Sequence, residues 1–183
     1  MKNYHSTAAK ILPHYTLDEY RLWEGNWELI GGIAYAMAPS PVAEHQYAVA
    51  EVLFQIKTQI PEKCPEECQV FTDLDWIISN DTVVRPDVVV ICDKIEDYIK
   101  TTPEVVFEVV SKATAQKDEH LKFEIYEAEG VPYYVLVYPD LRKARVFRLE
   151  GDSYKKLADC TEERFPFSSR CEFEIDFSRL WYR

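Results

Sequence analysis

Two stretches rich in β-branched residues restrict the folds open to this chain more than any other feature. They are 83–91 (Val-Val-Arg-Pro-Asp-Val-Val-Val-Ile) and 104–110 (Glu-Val-Val-Phe-Glu-Val-Val). Neither alternates apolar with polar, and both read as strands of a sheet covered on its two faces. Residues 133–138, Tyr-Tyr-Val-Leu-Val-Tyr, make a third such strand. The first two each carry a carboxylate in apolar surroundings, Asp87 and Glu108. A carboxylate buried without a partner is costly. Two that neighbour each other repel, and one takes up a proton unless a cation lies between them. Such oxygen donors suit Mg²⁺ or Mn²⁺, so the pair points to a metal-assisted hydrolytic site. Plainer readings exist: Asp87 as a polar strand end, and Glu108 as half of a buried ion pair with Arg85.

The rest of the chain supplies the layers around these strands. Residues 1–14 read as an N-terminal arm and 15–183 as one domain. Thr16 with Glu19 fits a capping box, predicting a short helix through Trp23. Gly31-Gly32 predicts a tight hairpin between 27–30 and 33–37. Ser40-Pro41 predicts a helix start. The stripe Ala48, Val49, Val52, Leu53, Ile56 and Ile60 predicts four or five turns ended by Pro61 and Pro65. A strand is expected over 70–78, a helix over 118–129 closed by Gly130, and a hairpin around Gly151-Asp152. A last strand at 173–175 precedes a short helix at Ser178. Strands alternate with helices in the middle and form antiparallel hairpins at both ends. The fold class is therefore α/β (α+β), a three-layer domain with a mixed central sheet flanked by helices.

Composition narrows the partners. No apolar run reaches the ~20 residues of a membrane span, and the first residues lack the hydrophobic stretch of a signal peptide, which predicts a cytoplasmic location. Five cysteines, an odd number, are then expected to be reduced thiols. Cys64 and Cys68 lack the second pair that a zinc site needs. The net charge of -11, from 32 acidic and 21 basic residues, predicts weak, salt-sensitive binding to any nucleic acid.

Five segments together resemble a bacterial restriction endonuclease family of the PD-(D/E)XK nuclease superfamily. They are Glu28-Leu29-Ile30-Gly31-Gly32; Met37-Ala38-Pro39-Ser40 with His45; Arg85-Pro86-Asp87-Val88; Glu108-Val109-Val110-Ser111 with Thr114; and Lys122 with Tyr126 and Gly130-Val131-Pro132-Tyr133-Tyr134. The resemblance spans about Tyr20 to Trp181 and implies a restriction endonuclease-like fold. It implies that Asp87 and Glu108 are metal ligands and that Glu28 is a further acidic ligand. Val110 stands where the superfamily's motif lysine would be, and Lys122 matches a lysine moved to the following helix. Its ammonium would orient the attacking water or steady the phosphorus centre. The resemblance also suggests substrate contact by His45. Ser111 would shape the turn, and Asp118 would hold Lys122. Lys112, four positions after Glu108, is a second candidate cation or substrate contact.

The implied activity is a Mg²⁺- or Mn²⁺-dependent endonuclease acting on nucleic acid, DNA by expectation, with a two-fold homodimer as the assembly for cutting both strands. The competing reading is a non-catalytic binding module that keeps the fold. A metal-free glycosidase using two carboxylates is a third.

Overall fold

A computed structural model describes residues 13–37 and 42–182. The helix start expected at Ser40-Pro41, most of the Met37–Ser40 segment, and nearly all of the N-terminal arm lie outside the described residues.

The elements in chain order begin with helix α1 (Leu17–Tyr20), hairpin β1 (Trp27–Ile30) and β2 (Ile33–Ala36), and the long helix α2 (Ala43–Lys63). Next come β3 (Gln69–Thr72), β4 (Trp76–Ser79), β5 (Thr82–Val84), β6 (Val88–Ile91) and β7 (Val105–Val109). A π-turn (Lys117–Leu121) runs into helix α3 (Lys122–Ala128), followed by β8 (Tyr133–Tyr138). Hairpins β9 (Lys143–Glu150) with β10 (Ser153–Cys160) and β11 (Arg164–Ser168) with β12 (Glu172–Asp176) complete the fold.

The central sheet has six strands in the order β10-β9-β8-β7-β6-β3. Strands β7 and β8 run parallel, joined through the π-turn and α3, and every other neighbouring pair is antiparallel. One face packs Val88, Val90, Val105, Phe107 and Val109 against α2 and the β11–β12 hairpin. The other packs Val89, Ile91, Val106, Tyr134 and Leu136 against α3 and a second sheet, β2-β1-β5-β4. This is the mixed, layered α/β fold expected from the sequence.

Several boundaries differ from the expectations, each for a local reason. The run 83–91 is two strands in two sheets, broken at Arg85-Pro86-Asp87, because Pro86 has no N–H to give a ladder. The run 70–78 also splits, where Asp73 takes φ 50° and turns the chain from the central sheet into the smaller one. Helix α1 stops at Tyr20, although Glu19 Oε2 accepts from the Thr16 backbone at 2.8 Å and from its hydroxyl at 2.9 Å. Helix α2 continues through Pro61 to Lys63. Proline removes only one bond there, in the last turn, and Cys64 N–H still closes on Ile60 O at 3.0 Å. Strand β11 was not anticipated, since Pro166 breaks its pattern; it is tolerated in an isolated two-stranded ribbon.

The thiols are also corrected. Cys64 is disulfide-bonded to Cys171, and Cys68 to Cys92, leaving Cys160 free and buried. Spacing along the chain concealed both pairs. The first joins residues 107 positions apart, brought together only when α2 packs on the β11–β12 hairpin. Among the described residues, no helix is long and apolar enough to cross a membrane.

Candidate active site

Acidic side chains gather at one end of the central sheet, where β6 begins and β7 ends. Val88 pairs with Phe107, so continuing the antiparallel register by one residue sets Asp87 opposite Glu108. Thr72 pairs with Val88 as the last rung of β3, and Asp73 stands at the corner just past it, near enough to Asp87 for the two charges to interact. Directly opposed residues point to one face with Cβ atoms roughly 5 Å apart. Asp73, Asp87 and Glu108 all line a cleft of about 1040 Å³, along with His45, Ser111, Lys112, Thr114, Lys117, Asp118 and Lys122.

Behind the acids lies a buried polar cluster. Lys122 Nζ is 2.7 Å from Glu28 Oε1 and 2.8 Å from Glu108 Oε1, and donates to the Arg85 carbonyl at 3.2 Å. Tyr126 donates its hydroxyl to the same Glu108 oxygen at 2.8 Å and stacks on Trp76. Glu28 Oε1 also accepts from the Arg85 backbone N–H at 2.8 Å, while Lys117 holds Oε2. Both oxygens of Glu28 are thus engaged by cations or N–H, and the side chain is fully buried behind the cleft. Arg85 turns away and pairs with Asp75 at 2.7 Å, so it is not the partner of Glu108.

Asp87 Oδ2 accepts from the Val109 N–H at 2.7 Å, a bond across the two strands. The same oxygen lies 3.4 Å from His45 Nε2, and Nδ1 of that ring is buried without a hydrogen-bond partner. Ser111 and Thr114 bond each other through backbone and hydroxyl groups and shape the turn after β7. Asp118 is buried beneath that turn, and its carbonyl accepts from the Tyr134 hydroxyl at 2.9 Å. Lys112 is exposed on the rim.

The electrostatics follow from this crowding. Burial lifts the Glu108 carboxyl well above the usual range; Lys122 opposes that, and Asp87, Asp118 and Glu28 reinforce it. Burial likewise raises Asp118 despite Lys122, and raises Asp73 with help from Asp87. Glu28 behaves oppositely: burial pushes its carboxyl up, but Lys122 and Lys117 outweigh it and hold it below the ordinary value. Burial would neutralise Lys122, yet Glu108 and Glu28 keep it charged. Desolvation lowers the His45 imidazole, and its bond to Asp87 more than restores it.

The cleft therefore collects Asp87, Glu108, Lys122, His45, Lys112, Ser111 and Asp118 of the residues singled out from the sequence, with Glu28 one layer behind. Among the described residues, no three His, Cys, Asp or Glu side chains are spaced to hold a metal ion. Sequence reasoning missed Asp73 and Lys117. Two acids, Asp73 and Asp75, inside the otherwise largely apolar run 70–78 could have drawn attention to Asp73. Lys117 carried no signal, because residues five apart in an α-helix point about 140° apart. Here the Lys122 N–H bonds to Lys117 O, an i→i+5 closure, and the π-turn brings the two lysines onto one face.

Comparison with known proteins agrees with this architecture. A profile of the family Uma2, described as "Putative restriction endonuclease", matches residues 17–172. The fold is similar to the crystal structure of "a putative nuclease belonging to DUF820" from Anabaena variabilis, with TM-score 0.74 and 19% identity. The alignment covers 91% of this chain and 97% of that one. No curated protein matches the chain. The match over most of the length shows that the chain belongs to the Uma2 family of nuclease-like proteins in the PD-(D/E)XK-like superfamily.

Proposed function

We propose that the protein is a Mg²⁺- or Mn²⁺-dependent endonuclease hydrolysing phosphodiesters, with DNA as the expected substrate. The observation that carries this is that Asp87 and Glu108, each next to the Val88–Phe107 rung, line one cleft, with Lys122 bound to Glu108. Two oxygen-donor carboxylates fit Mg²⁺, which commonly binds through one or two carboxylates plus water and substrate phosphate. The raised carboxyls of Glu108, Asp118 and Asp73 are the electrostatic state that such a cation relieves. In this reading Asp87 and Glu108 hold the ion. When bound, it would lower the pKa of a water and draw charge from phosphoryl oxygens.

The chain's own groups do the positioning. The Val109 N–H aims Asp87, while Lys122 and Tyr126 both bond the same oxygen of Glu108, which itself lines the cleft. Glu28, expected as a third ligand, instead serves as the counter-ion of the lysines, since both its oxygens are occupied. His45 holds Asp87 from the α2 side and lines the same cleft, which supports its reading as a substrate contact. Two copies would be needed to cut both strands at one position, and sedimentation of the purified protein with and without a DNA duplex would test for that homodimer.

The test is incubation of purified protein with plasmid and single-stranded DNA in Mg²⁺ or Mn²⁺. Cleavage is expected, and it should disappear in Asp87→Ala. Undiminished cleavage in that variant would remove this site from consideration. The competing reading, a binding module without catalysis, gains from the net charge of -11 and from Val110 standing where the motif lysine would be. Under it, Mn²⁺ would not raise the melting temperature, because a bound ion stabilises only the fold that holds it.

A further inference from the structure

We infer that Lys117, not Lys122, supplies the ammonium that meets the substrate phosphate, an inference that rests on the phosphodiesterase reading above.

Donor counting separates the two lysines. An ammonium has three N–H donors and no acceptor. Lys122 has three acceptors within bonding distance: Glu28 at 2.7 Å, Glu108 at 2.8 Å and the Arg85 carbonyl at 3.2 Å. Its side chain is only 2% exposed. None of its donors remains for a phosphoryl oxygen, and withdrawing one would uncover a buried carboxylate, which is costly. Lys117 has one such partner, Glu28, is 16% exposed and lines the cleft. Two of its donors are open to a ligand.

The π-turn gives this arrangement its purpose. With regular helical geometry, Lys117 would point away from Lys122 and from Glu28. The i→i+5 closure costs a standard hydrogen-bonding step and brings a second cation to Glu28 beside the first, in the lining of the cleft. Two lysines then face two buried carboxylates, Glu28 and Glu108, and balance them. An incoming phosphodiester adds a negative charge. Lys117 can turn toward it while Lys122 alone continues to neutralise Glu28. Lys112 is too exposed to compete, since its position depends on the turn after β7. Lys122 is in this account a positioning residue that fixes Glu108.

The experiment compares full-length wild type with Lys117→Met, Lys117→Arg and Asp87→Ala, using plasmid cleavage in Mn²⁺ and binding of a fluorescein-labelled DNA duplex across a salt series. Lys117→Met is expected to lower kcat/KM by about 10²-fold and to reduce the slope of log affinity against log salt by about 1. Lys117→Arg keeps the charge and should recover most of the loss, while the salt slope, which a purely structural pairing with Glu28 would leave unchanged, separates a phosphate contact from a counter-ion role. If the Met variant does not fold, Lys117→Gln keeps a hydrogen bond to Glu28 without the charge and serves in its place. Wild-type kcat/KM and salt slope in the neutral variant would overturn the inference and leave the nuclease reading standing. DNA binding without cleavage, in wild type as in Asp87→Ala, would overturn the nuclease reading instead. The salt slope would then decide the phosphate contact by itself. Absence of both binding and cleavage would overturn both.

Discussion

The two faces of the central sheet are built from alternate residues of the same strands, yet they serve different ends. Toward α2, Val88, Val90, Val105, Phe107 and Val109 pack into one apolar cluster. Toward α3, Val89, Ile91 and Val106 are equally apolar, but the row at the end of the sheet carries Asp87 and Glu108. Behind that row Glu28, Asp118 and Lys122 are buried as well. The α2 face gains stability from burial at roughly 25 cal/mol per Å² of apolar area. The α3 face spends some of it to desolvate charges that have nearly self-sufficient partners. Stability and chemistry are thus separated by a single residue of strand register.

Asp87→Ala offers the sharpest test of this separation. DNA cleavage should fall about 10⁴-fold, equivalent to roughly 5 kcal/mol of barrier, while the urea midpoint moves little. A large stability loss would mean that the acid is chiefly structural. Next, Lys122→Met should destabilise by about 3–5 kcal/mol, because it leaves Glu108 buried without its cation. Phe107→Ala on the opposite face should cost a similar ~3–5 kcal/mol, but with kcat of the folded enzyme unchanged. Loss of turnover there would erase the distinction between the faces.

Titration separates activity from folding. Glu108 has a raised carboxyl pKa, so it loses its charge as pH falls through a value above the ordinary ~4.3. Protons and the cation then compete for this carboxylate, so Mn²⁺ binding, read as a rise in melting temperature, should weaken as pH falls toward a value above the ordinary one. Glu28 has a lowered pKa, so its contribution to stability is present above the unfolded value and is lost only as pH falls through the depressed folded value. Activity should accordingly disappear before the circular dichroism of the fold does, and simultaneous loss would contradict the assignment. The smallest expected effect is Tyr126→Phe, which removes one hydrogen bond to a carboxylate and should cost about 1.5–3 kcal/mol in denaturant unfolding.

Much of the lining of the candidate cleft was legible in the sequence. Acids inside β-branched runs stand out because burial makes them expensive, and both Asp87 and Glu108 were visible for that reason. The Gly31-Gly32 hairpin followed from its turn chemistry, with φ 56° and 76°, and the α2 stripe followed from its period. What could not be read were features that depend on where a strand or helix departs from its period. Asp73 looked like the interior of one strand and is a corner between two sheets. Lys117 stands one residue before the helix expected over 118–129 and joins its turn only through the i→i+5 closure. The cysteine pairs join segments whose proximity exists only after packing.

Local pattern therefore determined which segments are strands and helices, and which carboxylates would need a partner, since periodicity and desolvation act on neighbours in the chain. The choice of partner was a tertiary decision. Lys122 reaches Glu28 across 94 positions of sequence and Glu108 across 14, and it does so only because α3 lies over the end of β7 beside the smaller sheet. Coulombic pairing depends on distance in space, which a one-dimensional pattern does not contain.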